Sequence, residues 1–253
     1  MKHFWTIFSH ELRMLLVAPS TYIAAVFFLA IMGFIFTGIL DVYSQAPQEN
    51  SPAIVFFKYF PTAVLVMVPL LTMRCLAEER RLGTIETLLT TPVTTAEVVL
   101  GKYGAAYVLY VALWASTAGF FEILRKFAGD PSLIDYGPLI GGYVFIAVSG
   151  LFFIAIGVLA SSLSRNQSVA GILCFAMLFG LIAGSYYLGS AEWLNRDVLH
   201  PLKAAVDYAQ IYQHYEDFTR GVVDARQLLF YFSGTVLALI FSILSIEAKQ
   251  LQG

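Results

Sequence analysis

Six apolar stretches constrain this chain more than any other feature. They lie near residues 20–40, 54–74, 99–121, 138–161, 168–189 and 227–246. Each can cross about 30 Å of hydrocarbon as a helix of about 20 residues. A backbone in lipid must satisfy its own hydrogen bonds, and segments of this length do so as helices. The composition agrees: of 253 residues, 58% are hydrophobic and 13% are charged, roughly half the charged share of an ordinary soluble domain. The centres of the stretches are almost free of charge. Lys58 is the exception, near enough to an end for its ammonium to reach water. Every stretch holds Gly, Ala, Ser or Thr, which let helices approach closely. Pro61 and Pro69 predict local bending of the second, since each removes a backbone donor. No pattern repeats between stretches, which argues against an inverted-repeat transporter. The expected fold is an all-α polytopic membrane protein, one transmembrane domain over residues 1–253.

The segments outside the spans add detail. On a helical wheel Phe4, Trp5, Phe8, Leu12, Leu15 and Leu16 share one face. Lys2, His3, Thr6, Ser9, His10 and Arg13 share the other. Residues 1–17 therefore read as an amphipathic helix lying in the membrane interface, not as a cleavable signal. Pro19 ends it, and Ser20-Thr21 offers a fresh helix start. The loop 190–226 is the largest polar segment and carries Trp193, Tyr208, Tyr212, Tyr215 and Phe218 among charges. Aromatics at that density suit the interface. They fit a small folded cap equally well; a re-entrant or interfacial helix around 202–220, packed back towards the spans, is the expected form.

Orientation follows from basic residues. With the amino terminus inside, the inner segments hold Lys2, Arg13, Arg74, Arg80, Arg81, Lys102, Arg165 and Lys249. The outer ones hold Lys58, Arg125, Lys126, Arg196, Lys203, Arg220 and Arg226. Long loops carry little topological weight. Setting aside the four basic residues of 190–226 leaves an inner excess, with both termini cytoplasmic.

Several chemistries are missing from the sequence. The net charge of -2 gives no case for a nucleic-acid partner. No phosphate-binding G-x-x-x-x-G-K-[ST] occurs; Gly101-Lys102 lacks both the upstream glycine and the following hydroxyl. His3, His10, His200 and His214 are not spaced as metal ligands, and no catalytic residue stands out. Cys75 and Cys174 read as small apolar fillers. Asn166-Gln167-Ser168 matches a glycosylation sequon in a turn that should face the cytoplasm, a chance match. Ion-coupled carriers need ionisable groups at depth, and the spans offer almost none.

The remaining feature is the polar segment 78–93 between spans two and three. Ala77 to Leu82 is helix-prone and extends the second span; Gly83 reads as its stop. Thr84 to Thr90 forms one or two turns with Ile85, Leu88 and Leu89 on one side and Glu86 and Thr87 on the other, and Pro92 ends it. Thr94 and Glu97 have the spacing of a capping box that starts the third span. A solvated connector and a docking element both fit this pattern.

The pattern Glu78-Glu79-Arg80-x-x-Gly83-Thr84-Ile85-Glu86-x-Leu88-Leu89-x-x-Pro92-Val93, running on to Glu97-Val98-Val99-Leu100-Gly101-Lys102, resembles the signature of type-2 ABC exporter permeases. The resemblance extends over the whole chain. His214, Glu216, Asp217, Phe218, Arg220, Gly221 and Asp224, within 214–224, resemble the segment before the last span in the subgroup that includes the gliding-motility and copper-centre-maturation permeases. The resemblance implies a permease of the bacterial inner membrane working as a dimer. Gly83 to Leu89 would be the coupling helix in a groove of a separate cytoplasmic ABC ATPase subunit. Glu78, Glu79, Arg80 and Glu86 would be its polar contacts or the charges that orient it. A second permease chain, the same or related, would complete the unit, with an accessory membrane or periplasmic subunit as a further partner. ATP and Mg would be bound by the ATPase and no cofactor by this chain. A non-transporting scaffold that anchors such an ATPase is the alternative. Phe27, Phe28, Phe34, Phe36, Phe152, Phe153, Tyr186 and Tyr187 either line a path for an amphiphile or peptide or serve as lipid-facing and packing residues.

Overall fold

A computed structural model of the chain describes residues 2–46, 49–83, 93–127, 135–191, 203 and 206–250. The described residues are helical, without strands. In chain order the helices are α1 (Lys2–Val17), α2 (Pro19–Gln45), α3 (Pro52–Lys58), α4 (Phe60–Thr72), α5 (Ala77–Leu82), α6 (Thr95–Ser116), α7 (Ala118–Phe127), α8 (Tyr136–Leu163), α9 (Gln167–Gly189), α10 (Ile211–Thr219) and α11 (Ala225–Gln250). Among the described residues six segments are long and apolar enough to cross a membrane: Pro19–Gln45, Phe60–Leu82, Thr95–Phe127, Tyr136–Leu163, Gln167–Gly189 and Ala225–Ala248.

Helix starts follow local chemistry. Asp135 accepts from the Gly137 amide at 3.0 Å, and Asn166 from the Ser168 amide at 3.0 Å. The asparagine of the sequon is thus an N-cap. The start of α2 departs from expectation. Its N-cap is Ala18, without a side-chain bond, and Pro19 supplies the preset φ of the first turn. Ser20 does not cap; its hydroxyl accepts from Arg74 at 2.8 Å.

The second and third spans are broken. α3 and α4 are separated at Tyr59, because Pro61 has no amide to bond the preceding turn and its ring crowds it. Beyond Pro69 the helix stops at Thr72 and turns through 73–76. There Ser161 of α8 replaces a missing backbone acceptor: its hydroxyl oxygen accepts from the amides of Leu76 and Ala77 at 3.0 and 3.1 Å. The break at Thr117 between α6 and α7 has no proline. The Thr117 hydroxyl bonds the Trp114 carbonyl at 2.7 Å and meets the Tyr143 hydroxyl at 2.9 Å.

α8 is the centre of the bundle, touching α4, α6, α9, α10 and α11. It presents small residues where neighbours come close. A Cβ on Gly150 would stand 2.3 Å from the Tyr110 ring, and one on Gly157 would stand 2.3 Å from the Thr72 hydroxyl. Buried aromatic rings, among them Phe56, Phe57, Phe145, Phe153 and Trp114, fill the remaining space.

Candidate functional site

The stem of the polar segment is α5. Its sequence puts Glu78 and Glu79 in the first turn and Arg80 and Arg81 in the last, signs that suit the helix dipole at each end. Gly83 closes it in a left-handed conformation, φ 69°, where a side chain would be strained. Residues 84–92, including Thr84, Ile85, Glu86, Leu88, Leu89 and Pro92, lie outside the described residues. The described residues resume at 93. The Thr94 hydroxyl accepts from the Glu97 amide at 3.3 Å, and Glu97 accepts from the Thr94 amide at 3.2 Å.

Three consecutive side chains of this stem reach three different parts of the bundle. Glu78 takes a two-pronged contact from Arg74, at 2.8 and 3.1 Å, and Arg74 also donates to Ser20 of α2. Arg80 donates to the Ser245 carbonyl of α11 at 3.2 Å. Glu79 lies 2.8 Å from the Lys102 ammonium of α6, which also pairs with Glu11 of α1. Lys102 is 5% exposed. Its charge is therefore carried in low dielectric by two carboxylates from two other helices, where geometry decides whether such a pair holds. These residues face into the bundle, whereas Arg81, Leu82 and Gly83 are exposed.

Lys102 falls within an apolar stretch, yet nothing in the sequence near it announces Glu11. The approach that joins them is also visible in the glycines. A Cβ on Gly101 would stand 2.8 Å from Ile7, so α1 lies hard against α6. Of the apolar residues of α1, Phe8, Leu12 and Leu15 are partly covered, while Trp5 and Leu16 are exposed, as are Met14 and Val17. The apolar surface of α1 is thus divided between the bundle and the surroundings.

The 214–224 segment lies at the opposite end of the bundle. His214 is buried; its Nδ1 is 3.1 Å from the Tyr231 hydroxyl of α11. Burial holds its imidazole below the ordinary value of 6.5, against a hydrogen bond the ring donates to the Tyr208 backbone and the charges of Asp217 and Asp224. Asp217 accepts from Gln227 at 2.6 Å. Phe218 is fully buried, and its carbonyl would be 2.1 Å from a Cβ on Gly141 of α8. Gly221 has φ 79° and ends the turn after α10. Asp224 accepts from the Arg226 amide at 2.9 Å at the start of α11. Glu216 and Arg220 form an exposed pair at 3.7 Å. Apart from that pair, each of these residues holds part of the bundle in place. α10 covers Ile211–Thr219 of the anticipated 202–220 and packs on α8, α9 and α3.

A family model described as "ABC-2 family transporter protein" matches residues 5–246. The chain belongs to that family. It is 30% identical over 166 residues to the "Probable multidrug ABC transporter permease YbhR" of Escherichia coli strain K12, covering 60% of this chain and 40% of that protein. The same figures hold for the YbhR of Escherichia coli O157:H7. This chain thus spans less than half the length of the curated relatives it matches.

In this ABC-2 family chain the aromatics read either as path-lining or as lipid-facing and packing residues divide. Phe28, Phe36 and Phe153 are core residues, and Phe152 packs on Phe230. Phe27, Phe34, Tyr186 and Tyr187 are exposed on the outside of the bundle. Cys75 and Cys174 are buried and unbridged.

Proposed function

We propose that this chain is the membrane-spanning permease subunit of an ATP-driven exporter in the bacterial inner membrane, with both termini cytoplasmic. Its family membership over residues 5–246 is the observation that carries the reading. The ATPase is a separate cytoplasmic subunit that binds ATP and Mg. It docks on the segment from Gly83 to Leu89, with Thr84, Ile85, Glu86 and Leu88 as the contact helix and Pro92 as its end. A second permease chain completes the unit. The resemblance of 214–224 to the gliding-motility and copper-centre-maturation permeases supports a kinship with that subgroup and says nothing of a substrate.

The stem supplies the mechanism. Of the two roles open to Glu78, Glu79 and Arg80, orienting the stem suits their contacts better than touching the ATPase. A push on the docking segment passes through Glu78 and Arg74 to α2, through Glu79 and Lys102 to α6 and α1, and through Arg80 to α11. Closure of the ATPase pair on ATP then moves several spans together.

The test is co-purification with the ATPase. The wild-type chain retains it; Gly83→Pro combined with Ile85→Asp releases it. Retention by that double variant rejects the docking assignment. Nucleotide-driven uptake into inverted vesicles separates an exporter from a non-transporting scaffold, because a scaffold accumulates no substrate under any nucleotide condition.

A further inference from the structure

At the His214 end two cavities meet. One, of about 560 Å³, lies between α2 and α3 and is lined by apolar groups including Phe34, Gly38 and Val42. The other, of about 550 Å³, lies between α3 and α10 and carries Lys58, Glu216 and Arg220. Asn50, Val55 and Tyr59 line both, so the cavities are halves of one groove. Each half has the size of a small-molecule site. Phe34 is 81% exposed, and a Cβ on Gly38 would meet no atom within 4 Å. The apolar half is therefore an open notch in the flank of the first span. The polar half carries two cationic side chains against one carboxylate. Glu216 reaches Arg220 only at 3.7 Å, and Lys58 makes no ion pair among the described residues.

We propose that this groove binds one membrane phospholipid with a singly anionic headgroup, its acyl chain beside Gly38 and its phosphate between Lys58 and Arg220. The polarity order decides the ligand class. An apolar notch at span depth continues directly into a cationic pocket at the end of the span. A neutral amphiphile leaves that charge unused, and a free phosphate leaves the notch empty. Both cations line the polar end of the groove, and a lysine and an arginine side by side bind a phosphate group by charge-assisted hydrogen bonds. The site is on the outer flank of α2, and it does not depend on the docking segment.

The experiment is native mass spectrometry of the full chain, extracted from vesicles of phosphatidylcholine with an equal share of phosphatidylglycerol. The wild type keeps one phosphatidylglycerol in preference to phosphatidylcholine. Lys58→Glu with Arg220→Glu lowers that retention about tenfold, and so does Gly38→Trp, which fills the notch. Both variants are to be monodisperse and to melt as the wild type does in pure phosphatidylcholine, so that loss of lipid is not loss of fold. Equal retention of the two lipids by the wild type overturns the proposal. So does loss in the charge variant with full retention in Gly38→Trp, which would mark a surface charge effect without a groove. Inorganic phosphate that displaces the lipid from the wild type at millimolar concentration also overturns it.

Discussion

At the Lys102 end the joints between helices are mainly charged; at the His214 end they are mainly aromatic, steric and hydrogen-bonded. Lys102 binds α6 to α5 through Glu79 and to α1 through Glu11, while Arg74 and Arg80 extend the same stem to α2 and α11. The other end relies on Phe218 seated at Gly141, on Tyr215 donating to the Ile54 carbonyl, and on His214 against Tyr231. The difference has physical consequences. Charged contacts can be long, directional and shared among several helices. Close contact between a carbonyl and a glycine holds one pair of helices in one register. The stem proposed to pass motion to several spans suits the first kind of joint, and a fixed cap suits the second.

Removing the charge at the centre of the first end is the harshest way to break this contrast. Lys102→Ala leaves Glu11 and Glu79 together without their cation. Loss of one member of a buried ion pair costs about 3–5 kcal/mol, and the lower figure applies because both carboxylates keep some exposure. Thermal unfolding in detergent reads it out. Lys102→Met with Glu11→Gln and Glu79→Gln recovers most of the loss while severing the charge link. At the other end, Gly141→Leu forces α8 and α10 apart and costs about 1–3 kcal/mol, with faster proteolysis of 206–224 as the sign. Unchanged proteolysis would mean that the two ends are held by less distinct kinds of joint. Thr94→Ala removes one cap of α6 and costs about 1 kcal/mol.

A smaller effect separates the two ends by pH. Burial lowers the folded value of His214 below 6.5. The neutral ring is the folded form, so its contribution is complete above 6.5 and is lost as pH falls through the lower folded value. Acidification from about pH 7 to pH 5 should loosen 206–224, and His214→Phe should remove that part of the dependence. The smallest change is Glu216→Gln, within about 0.5 kcal/mol, because the pair with Arg220 is exposed and screened.

The six spans were legible because hydropathy over about 20 residues is a signal of the chain itself. The interruption near Pro61 was legible for the same reason, since proline removes its own hydrogen bond wherever it stands. The break at Thr117 was not, because it rests on Tyr143, 26 residues further along. Lys102 stood out only as a basic residue near a span, and its partner Glu11 is 91 positions away. Glu11 itself carries no distinguishing mark within α1. For 214–224 the sequence marked the residues but not what they do. Gly221 and Asp224 shape the entry into α11, and Phe218 anchors α10. Long-range pairing of charges and close approach of helices leave little trace in a single sequence.

Lys102, paired with both Glu79 and Glu11, should make α5 and α1 move as one body. The direct measurement is the distance between spin labels at Leu82→Cys and Trp5→Cys, both exposed positions, in a chain whose Cys75 and Cys174 are replaced by Ala. The complex with the proposed ATPase subunit is measured without nucleotide and with ATP trapped. Rigid coupling predicts one narrow distance that is the same in both states, and a broadened, nucleotide-dependent one in the Lys102→Met, Glu11→Gln, Glu79→Gln chain. A wild-type distance that changes with ATP, or a triple variant indistinguishable from wild type, contradicts it.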